Sequence, residues 1–359
     1  MPGASLGKGT FSERGRWSPL RSKSKRKTNT RGVSTTKTAQ AAQNIQAARG
    51  AAAGSGPQAV RAQVTGAVPS LRTDYHVHPN YSIDAQPFTI RDYCCRAVEL
   101  GLAEICFTTH VEFDPVRYHI DNFVMLNGRR HPVRDLAWLD AYFREIEEAQ
   151  REFCYTGLKV KTGVEIGYDL GLEEDIARLL QYPFDYVLGA IHCLDHIAIS
   201  SMQESPRYFA SRSLDRMRDE YFHVVRSAVQ TGFFHSLAHV DLYRRYGIRH
   251  YGEKILTVHR GVIEPILEEM ARRGMGLEIN TSSLRRGITE FHPAREIIQL
   301  AAQAGITVFT VGSDAHRPED LGDHIDEALA LLDRYGLHNH VFTAGRAVPC
   351  SAAEAECRA

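Results

Sequence analysis

The chain has 359 residues, with 43 Lys+Arg against 43 Asp+Glu, 43% hydrophobic and 24% charged. That composition excludes wholesale disorder and suits one large α/β barrel plus a tail. No stretch approaches the roughly 18 consecutive apolar residues of a membrane span. Seven sparse cysteines, an odd number, argue against a disulfide-stapled secreted fold and for a reducing, cytoplasmic location.

The zero net charge hides a split. Residues 1–70 hold twelve basic residues and one acid, Glu13, so they carry +11 and residues 71–359 carry −11. The stretch is rich in Ser, Thr, Ala, Gly and Gln, with Phe11 and Trp17 its sole aromatics. It lacks the apolar surface that would offset chain entropy, which predicts a disordered basic tail. Three roles compete for it: a transit peptide for organellar import, a basic arm for nucleic acid, or an over-extended start with the folded protein beginning near Leu71. Nucleic acid is expected as a partner only through this tail.

From residue 71 short β-rich runs alternate with amphipathic helical ones. The predicted strands are Arg72–His78, Glu104–Thr109, Leu158–Glu165, Phe184–Ile191, Phe233–His239, Met275–Asn280 and Ile306–Gly312. The predicted helices are Pro87–Leu100, Val133–Phe153, Leu172–Leu180, Leu214–Val229, Leu256–Arg273, Pro293–Ala304 and Pro318–Tyr335. This alternation means parallel strands joined by crossover helices, and the span matches a (β/α) barrel over residues 71–345 with a flexible C-terminal tail over 346–359. A doubly wound open sheet is the alternative. Neither GxxxxGK[ST] nor GxGxxG follows the first strand, so nothing points to a nucleotide site.

Polar residues cluster at the predicted C-terminal strand ends. The first strand ends in His76-Val77-His78, with Asp84 in the next loop. The others offer His110 and Glu112, Glu165, His192, His239 and Asp241, Asn280 with Arg285 and Arg286, and finally Asp314 and His316. In a parallel barrel these ends converge on one face. Imidazole and carboxylate groups are ligands for Zn, Mn or Fe. Residues two apart on a strand share a side, so His76 and His78 approach one ion together, as do Asp314 and His316. His235 falls on the side of His239 and is read as a buried neighbour. The cysteines show no CxxC pairing, and a Cys–His nucleophile would have to come from Cys193 beside His192.

Asp74–His78, Ser82–Asp84, Phe107–His110, Gly163–Glu165, His192, Ala238–Leu242, Glu278–Ser282 with Leu284-Arg285, and Gly312–His316 together resemble the PHP (polymerase and histidinol phosphatase) superfamily. The stretch Glu278-Ile-Asn-Thr-Ser-Ser-Leu-Arg-Arg286 is most similar to its histidinol-phosphate phosphatase branch. The resemblance implies a distorted (β/α)7 TIM-like barrel and two to three divalent metal ions (Zn, Mn or Fe). It further implies that His76, His78, Glu165 and Asp314 hold a first ion, bridging Glu165 with His192 and His239 a second, and Asp84, His110 and His316 a third. Asp84 stands where many relatives carry histidine, a harder ligand in its place. The implied activity is hydrolysis of L-histidinol phosphate to L-histidinol and phosphate, in histidine biosynthesis, by attack of a metal-bridging hydroxide on phosphorus. The implied partner is therefore a small phosphate monoester.

Elementary charge counting agrees. Three divalent ions against three carboxylates and one hydroxide leave positive charge that a dianionic phosphate would neutralise. Arg285 and Arg245 are candidate phosphate clamps, because guanidinium matches phosphate oxygens in bidentate fashion; Arg286 is expected to face away. Asp314, His316 or a metal-bound water would protonate the leaving alcohol, and the sequence does not choose among them; Glu165 is central to the metal chemistry. The rivals are a PHP phosphoesterase for another small phosphate or nucleotide, an amidohydrolase-like metallohydrolase, and a nucleic-acid-binding protein driven by its tail.

Overall fold

The computed structural model describes residues 71–350, so the readings of residues 1–70 and 351–359 lie outside the described residues. In chain order the elements begin with β1 (Thr73–Val77), α1 (Ile90–Glu99), β2 (Glu104–Glu112), the hairpin β3 (Phe123–Leu126) and β4 (Arg129–Pro132), α2 (Trp138–Phe153), β5 (Lys159–Gly167), α3 (Glu173–Leu179) and β6 (Tyr186–Ala190). There follow the short pair β7 (Cys193–Leu194) and β8 (Ile197–Ala198), α4 (Ser205–Ala210), α5 (Leu214–Thr231), β9 (Ser236–Leu237), α6 (Arg244–Tyr251) and α7 (Glu264–Arg272). The last are β10 (Gly276–Asn280), α8 (Ser282–Arg285), α9 (Arg295–Gln303), β11 (Phe309–Gly312), α10 (Ile325–Arg334) and the hairpin β12 (His340–Thr343) and β13 (Arg346–Pro349).

All seven predicted strands are present and form one parallel sheet in the order β1-β2-β5-β6-β9-β10-β11. A parallel bridge from Val77 to Ala315 nearly closes it, with the His78 N–H donating to the Ala315 carbonyl at 2.8 Å. The result is the expected seven-stranded barrel. Its outer face is apolar: Ile105, Phe107, Val164, Ile166, Val187, Leu277, Ile279 and Val311 pack in one core with helix residues such as Tyr93, Trp138, Tyr142, Ile146, Val225 and Ile298. Alternation along each strand then turns the other set of residues inward.

Local chemistry sets several element boundaries. Thr89 caps α1, its side chain accepting from the Asp92 N–H while the Asp92 carboxylate reaches back to the Thr89 N–H. The helix expected over Leu256–Arg273 is broken. A 3-10 turn covers Gly252–Thr257, Gly261 adopts φ 79°, and α7 starts beside Pro265, which has no N–H to give a helix interior. The strand expected over Phe233–His239 shrinks to two residues, because the chain turns at His239 with φ 22°.

Besides the short antiparallel pair β7–β8, two longer hairpins go beyond the sequence expectation. β3 and β4 join through Asn127-Gly128, both at positive φ, the dipeptide best suited to a two-residue turn. β12 and β13 join through Ala344-Gly345. This second hairpin corrects the expected boundary at residue 345: residues 346–349 are a paired strand. Phe342 packs against Tyr75, Tyr186 and His235, with ring centroids 6.2, 4.7 and 5.4 Å away. With Cys106, Leu188, Val341 and Cys350 these form a second, smaller apolar cluster. Phe342→Ala should cost about 3–5 kcal/mol, the usual range for a buried Phe. The measurement is the urea midpoint of unfolding, and an unmoved midpoint would refute a packing role.

Candidate metal centre

Nine side chains meet at the C-terminal ends of the strands. His76 lies in β1 and His78 just beyond it. His110 lies in β2 and Glu165 in β5. His192, His239 and Asp314 each fall two residues past β6, β9 and β11. Asp84 comes from the β1–α1 loop and His316 from the loop after β11. His239 and Asp314 both hold left-handed φ values, 22° and 55°, a conformation uncommon for non-glycine residues and frequent at functional sites.

Glu165 is the hub, fully buried. Its Oε1 lies 3.0 Å from His239 Nε2 and 3.2 Å from His192 Nε2. Its Oε2 lies 3.3, 3.5 and 3.3 Å from Nε2 of His76, His78 and His110. Asp314 Oδ1 is 3.3 Å from His78 Nε2 and 3.7 Å from His76 Nε2. Asp84 Oδ2 is 3.1 Å from His316 Nε2 and 3.8 Å from His110 Nε2.

Most of these separations are wider than ordinary hydrogen bonds. An ion holding ligands tetrahedrally at about 2.0–2.2 Å sets them about 3.3–3.6 Å apart, the spacing of Glu165 Oε2 from His76, His78 and His110 and of Asp314 Oδ1 from His78. Nε2 of His76 and His78 and Oε2 of Glu165 are also buried without a hydrogen-bond partner, a costly state that a cation would relieve. Four triads drawn largely from this set have ligand atoms within 4.8 Å of one another. The residues present therefore fit divalent metal.

The far ring nitrogens of His76, His78 and His192 are held in place. His192 Nδ1 lies 2.7 Å from Glu112 Oε1, which gives Glu112 its role. His76 Nδ1 lies 2.5 Å from Glu278 Oε1, and His78 Nδ1 lies 3.1 Å from Ser82 Oγ. Such partners fix the tautomer that aims Nε2 at a metal. Glycine permits the Glu112 contact: a Cβ at Gly167 would fall 2.0 Å from Glu112 Oε2.

In the metal-free protein these groups pull against one another. Burial, then the neighbouring His316 and His110, push His78 down to about 3. Burial also works against a charged His192, but Glu165 and Glu112 outweigh it and hold it up at about 10. Despite burial, the surrounding histidines hold Glu165 and Asp314 well below the usual carboxylate range.

The cluster floors a cavity of about 440 Å³, whose walls include Arg245, Tyr246, Arg286, Arg117 and Met202. Here the adjacent arginines reverse the expectation. Arg285 turns out of the cavity, its Nη2 donating to the Ser313 carbonyl at 2.7 Å and its Nη1 to Asp323 Oδ2 at 3.3 Å. Arg286 lines the cavity instead. Arg245 is where expected, 3.4 Å from Ser282 Oγ and 3.8 Å from Asp314 Oδ2. Burial and the like charge of Arg286 pull Arg245 down to about 10, which leaves Arg245 a cation at neutral pH.

Asp241 is not part of the cluster; it bonds His292 Nδ1 at 2.6 Å and Arg244 Nη1 at 2.7 Å. His235 is buried among the inner aromatics, as expected. Burial, then Glu112, raise the Cys193 thiol well above its ordinary value, which disfavours the thiolate that a Cys–His nucleophile needs. Glu278 lies inside β10, not at its end, so a strand-end rule passes over it, although it sits two residues before Asn280 on the same side of the strand.

A parallel barrel whose strand ends carry a carboxylate-centred ring of histidines is the framework of a metal-dependent hydrolase. The PHP domain model matches residues 74–282, and the chain belongs to that family. It is 29% identical over 250 residues to a probable histidinol-phosphatase of Deinococcus radiodurans, covering 69% of this chain and 88% of that one. It is 28% identical over 271 residues to a histidinol-phosphatase of Lactococcus lactis, covering 74% and 92%. The crystal structure of histidinol phosphate phosphatase from Lactococcus lactis, complexed with Zn, L-histidinol and phosphate, superposes with a TM-score of 0.65 and 26% identity over 77% of this chain and 99% of that one. Among the described residues no helix is long and apolar enough to cross a membrane.

Proposed function

We propose that this chain is a metal-dependent phosphomonoesterase that hydrolyses L-histidinol phosphate to L-histidinol and phosphate. The observation that carries the reading is the pairing of Arg245 and Arg286 in one cavity wall with the Glu165-centred histidines on its floor. The relative solved with Zn, L-histidinol and phosphate supports the choice of substrate.

Two to three divalent ions, Zn, Mn or Fe, are assigned to the ligand sets His76, His78, Glu165 and Asp314; Glu165, His192 and His239; and Asp84, His110 and His316. When bound they would supply Lewis acidity toward the phosphate oxygens and make water acidic near neutrality. Arg245 and Arg286 hold the phosphate oxygens and compensate charge there as the ester bond breaks. Ser282 donates to Asp314 Oδ2 at 3.0 Å and steadies that carboxylate. Of the two groups considered for passing a proton to the departing alcohol oxygen, His316 suits the step better, because the surrounding histidines hold Asp314 ionised. Buried apolar walls exclude bulk water behind the cluster. The free cysteines Cys94, Cys95, Cys106, Cys154 and Cys193 support a reducing compartment, in keeping with a cytoplasmic enzyme.

The test is steady-state phosphate release from L-histidinol phosphate beside sugar phosphates, AMP and an aryl phosphate, with added Mn or Zn. A kcat/KM for histidinol phosphate far above the rest is expected. Even activity across the panel would keep the phosphatase and sink the named substrate. No release from any ester by metal-loaded protein would overturn the reaction class.

A further inference from the structure

Glu278 lies behind the metal centre, 1% exposed and outside the cavity wall. Its two oxygens serve different strands. Oε1 accepts from His76 Nδ1 at 2.5 Å, on β1. Oε2 accepts the backbone N–H of His239 at 3.0 Å, just past β9, and the Asn280 amide at 3.3 Å. The barrel makes close room for this carboxylate: a Cβ at Gly312 would fall 2.7 Å from Oε1 and 2.3 Å from His76 Cβ.

The His239 contact is made where the backbone is strained, at φ 22°. A buried N–H in an unusual conformation persists only if neighbours over-determine it, and Glu278 is its acceptor. The two donors also belong to different ligand sets. His76 contributes to one proposed ion and His239 to another, with Glu165 between them. Glu112 has a narrower reach, since its close contact is His192.

We propose that Glu278 is a positioning residue that locks His76 and His239 together, so that two ions of the centre bind as a coupled pair. The inference rests on the metal assignment given above. Its logic is a count of acceptors. A carboxylate offers one oxygen to each donor. Glutamine has a single acceptor oxygen, so E278Q leaves either the His76 ring N–H or the His239 backbone N–H facing an amide NH2. One ligand is then misaimed, and through the shared Glu165 the other ion loses geometry too.

The experiment is a Zn titration of the full chain against a chromogenic chelator, with bound metal counted by elemental analysis, for wild type, E278Q, E278D and E112Q. Loss of such a partner typically weakens metal binding about 10–100-fold. E278Q is expected to weaken two ions by that order, E112Q one, and E278D, which keeps both acceptors on a shorter arm, two ions by less. At saturating metal E278Q should keep KM within about threefold of wild type, since Glu278 touches no substrate-facing wall, while kcat stays below wild type because the ligands remain misaimed. An E278Q isotherm that overlays the wild type, or a loss confined to one ion, would overturn the coupling. If E278Q fails to fold by circular dichroism, E278D decides on the same criterion. Wild-type protein that binds no metal would refute the underlying metal assignment instead.

Discussion

Glu165→Gln is expected to lower phosphatase kcat by at least about 100-fold, the upper end of what losing even an outer partner of a ligand costs. The reason is geometric. Oε1 faces His192 and His239 while Oε2 faces His76, His78 and His110, so one carboxylate addresses five imidazoles. Glutamine keeps one acceptor oxygen and turns a hydrogen-bond donor toward the remaining rings. It also removes the negative charge that a pair of cations in this space requires. Bound metal should fall below the wild-type count. A thermal consequence follows by mass action, since a ligand present at 100 times its Kd stabilises the folded state by about 2.7 kcal/mol. A strong chelator should therefore lower the wild-type Tm and leave that of the variant nearly unchanged. A Glu165→Gln protein with full metal content and a chelator-sensitive Tm would show that the hub is dispensable.

The second large effect belongs to the arginines. Arg245→Ala and Arg286→Ala should each reduce kcat/KM for the phosphate ester by about 10²–10³-fold, the usual cost of one preorganised donor to developing charge. Metal content should stay at the wild-type level. Arg285→Ala makes the contrast. Its guanidinium holds the carbonyls of Ser313 and Asp314 and pairs with Asp323, so its loss should loosen the loop after β11 and lower Tm with a smaller change in KM. If Arg285→Ala weakens substrate binding as much as Arg286→Ala, the roles of the two neighbours are reversed.

That reversal marks where strand logic stops. The proposed metal ligands were legible because β-strands repeat every two residues and a parallel barrel gathers its strand ends. His76 with His78, and the residues closing β2, β5 and β11, obey that geometry directly. Arg285 and Arg286 lie on and just after α8, a single helical turn, where successive side chains rotate by about 100° instead of alternating. No period-two rule could say which one enters the cavity. Asp241 had a ligand's chemistry and position, yet the turn after β9 swings it toward His292 and Arg244. Glu278 carried the right period but lies inside a strand. The Asn127-Gly128 turn was a readable hairpin signal. Ala344-Gly345 was a weak one, because alanine seldom occupies a left-handed turn position.

The hairpin of β12 and β13 ties the two ends of the folded region together. Asn339 donates to Thr73 Oγ1 at 2.9 Å, and the Phe342 N–H donates to the Tyr75 hydroxyl at 2.6 Å. The residues that cover the inner face of the first strand are thus translated after every strand of the barrel. During synthesis Tyr75 and Tyr186 remain uncovered until β12 emerges, an aromatic surface suited to chaperone capture and prone to misassociation. A message truncated before codon 340 would yield a polypeptide that holds all nine proposed ligands but leaves this aromatic surface open. Quality control, rather than loss of chemistry, would decide its fate.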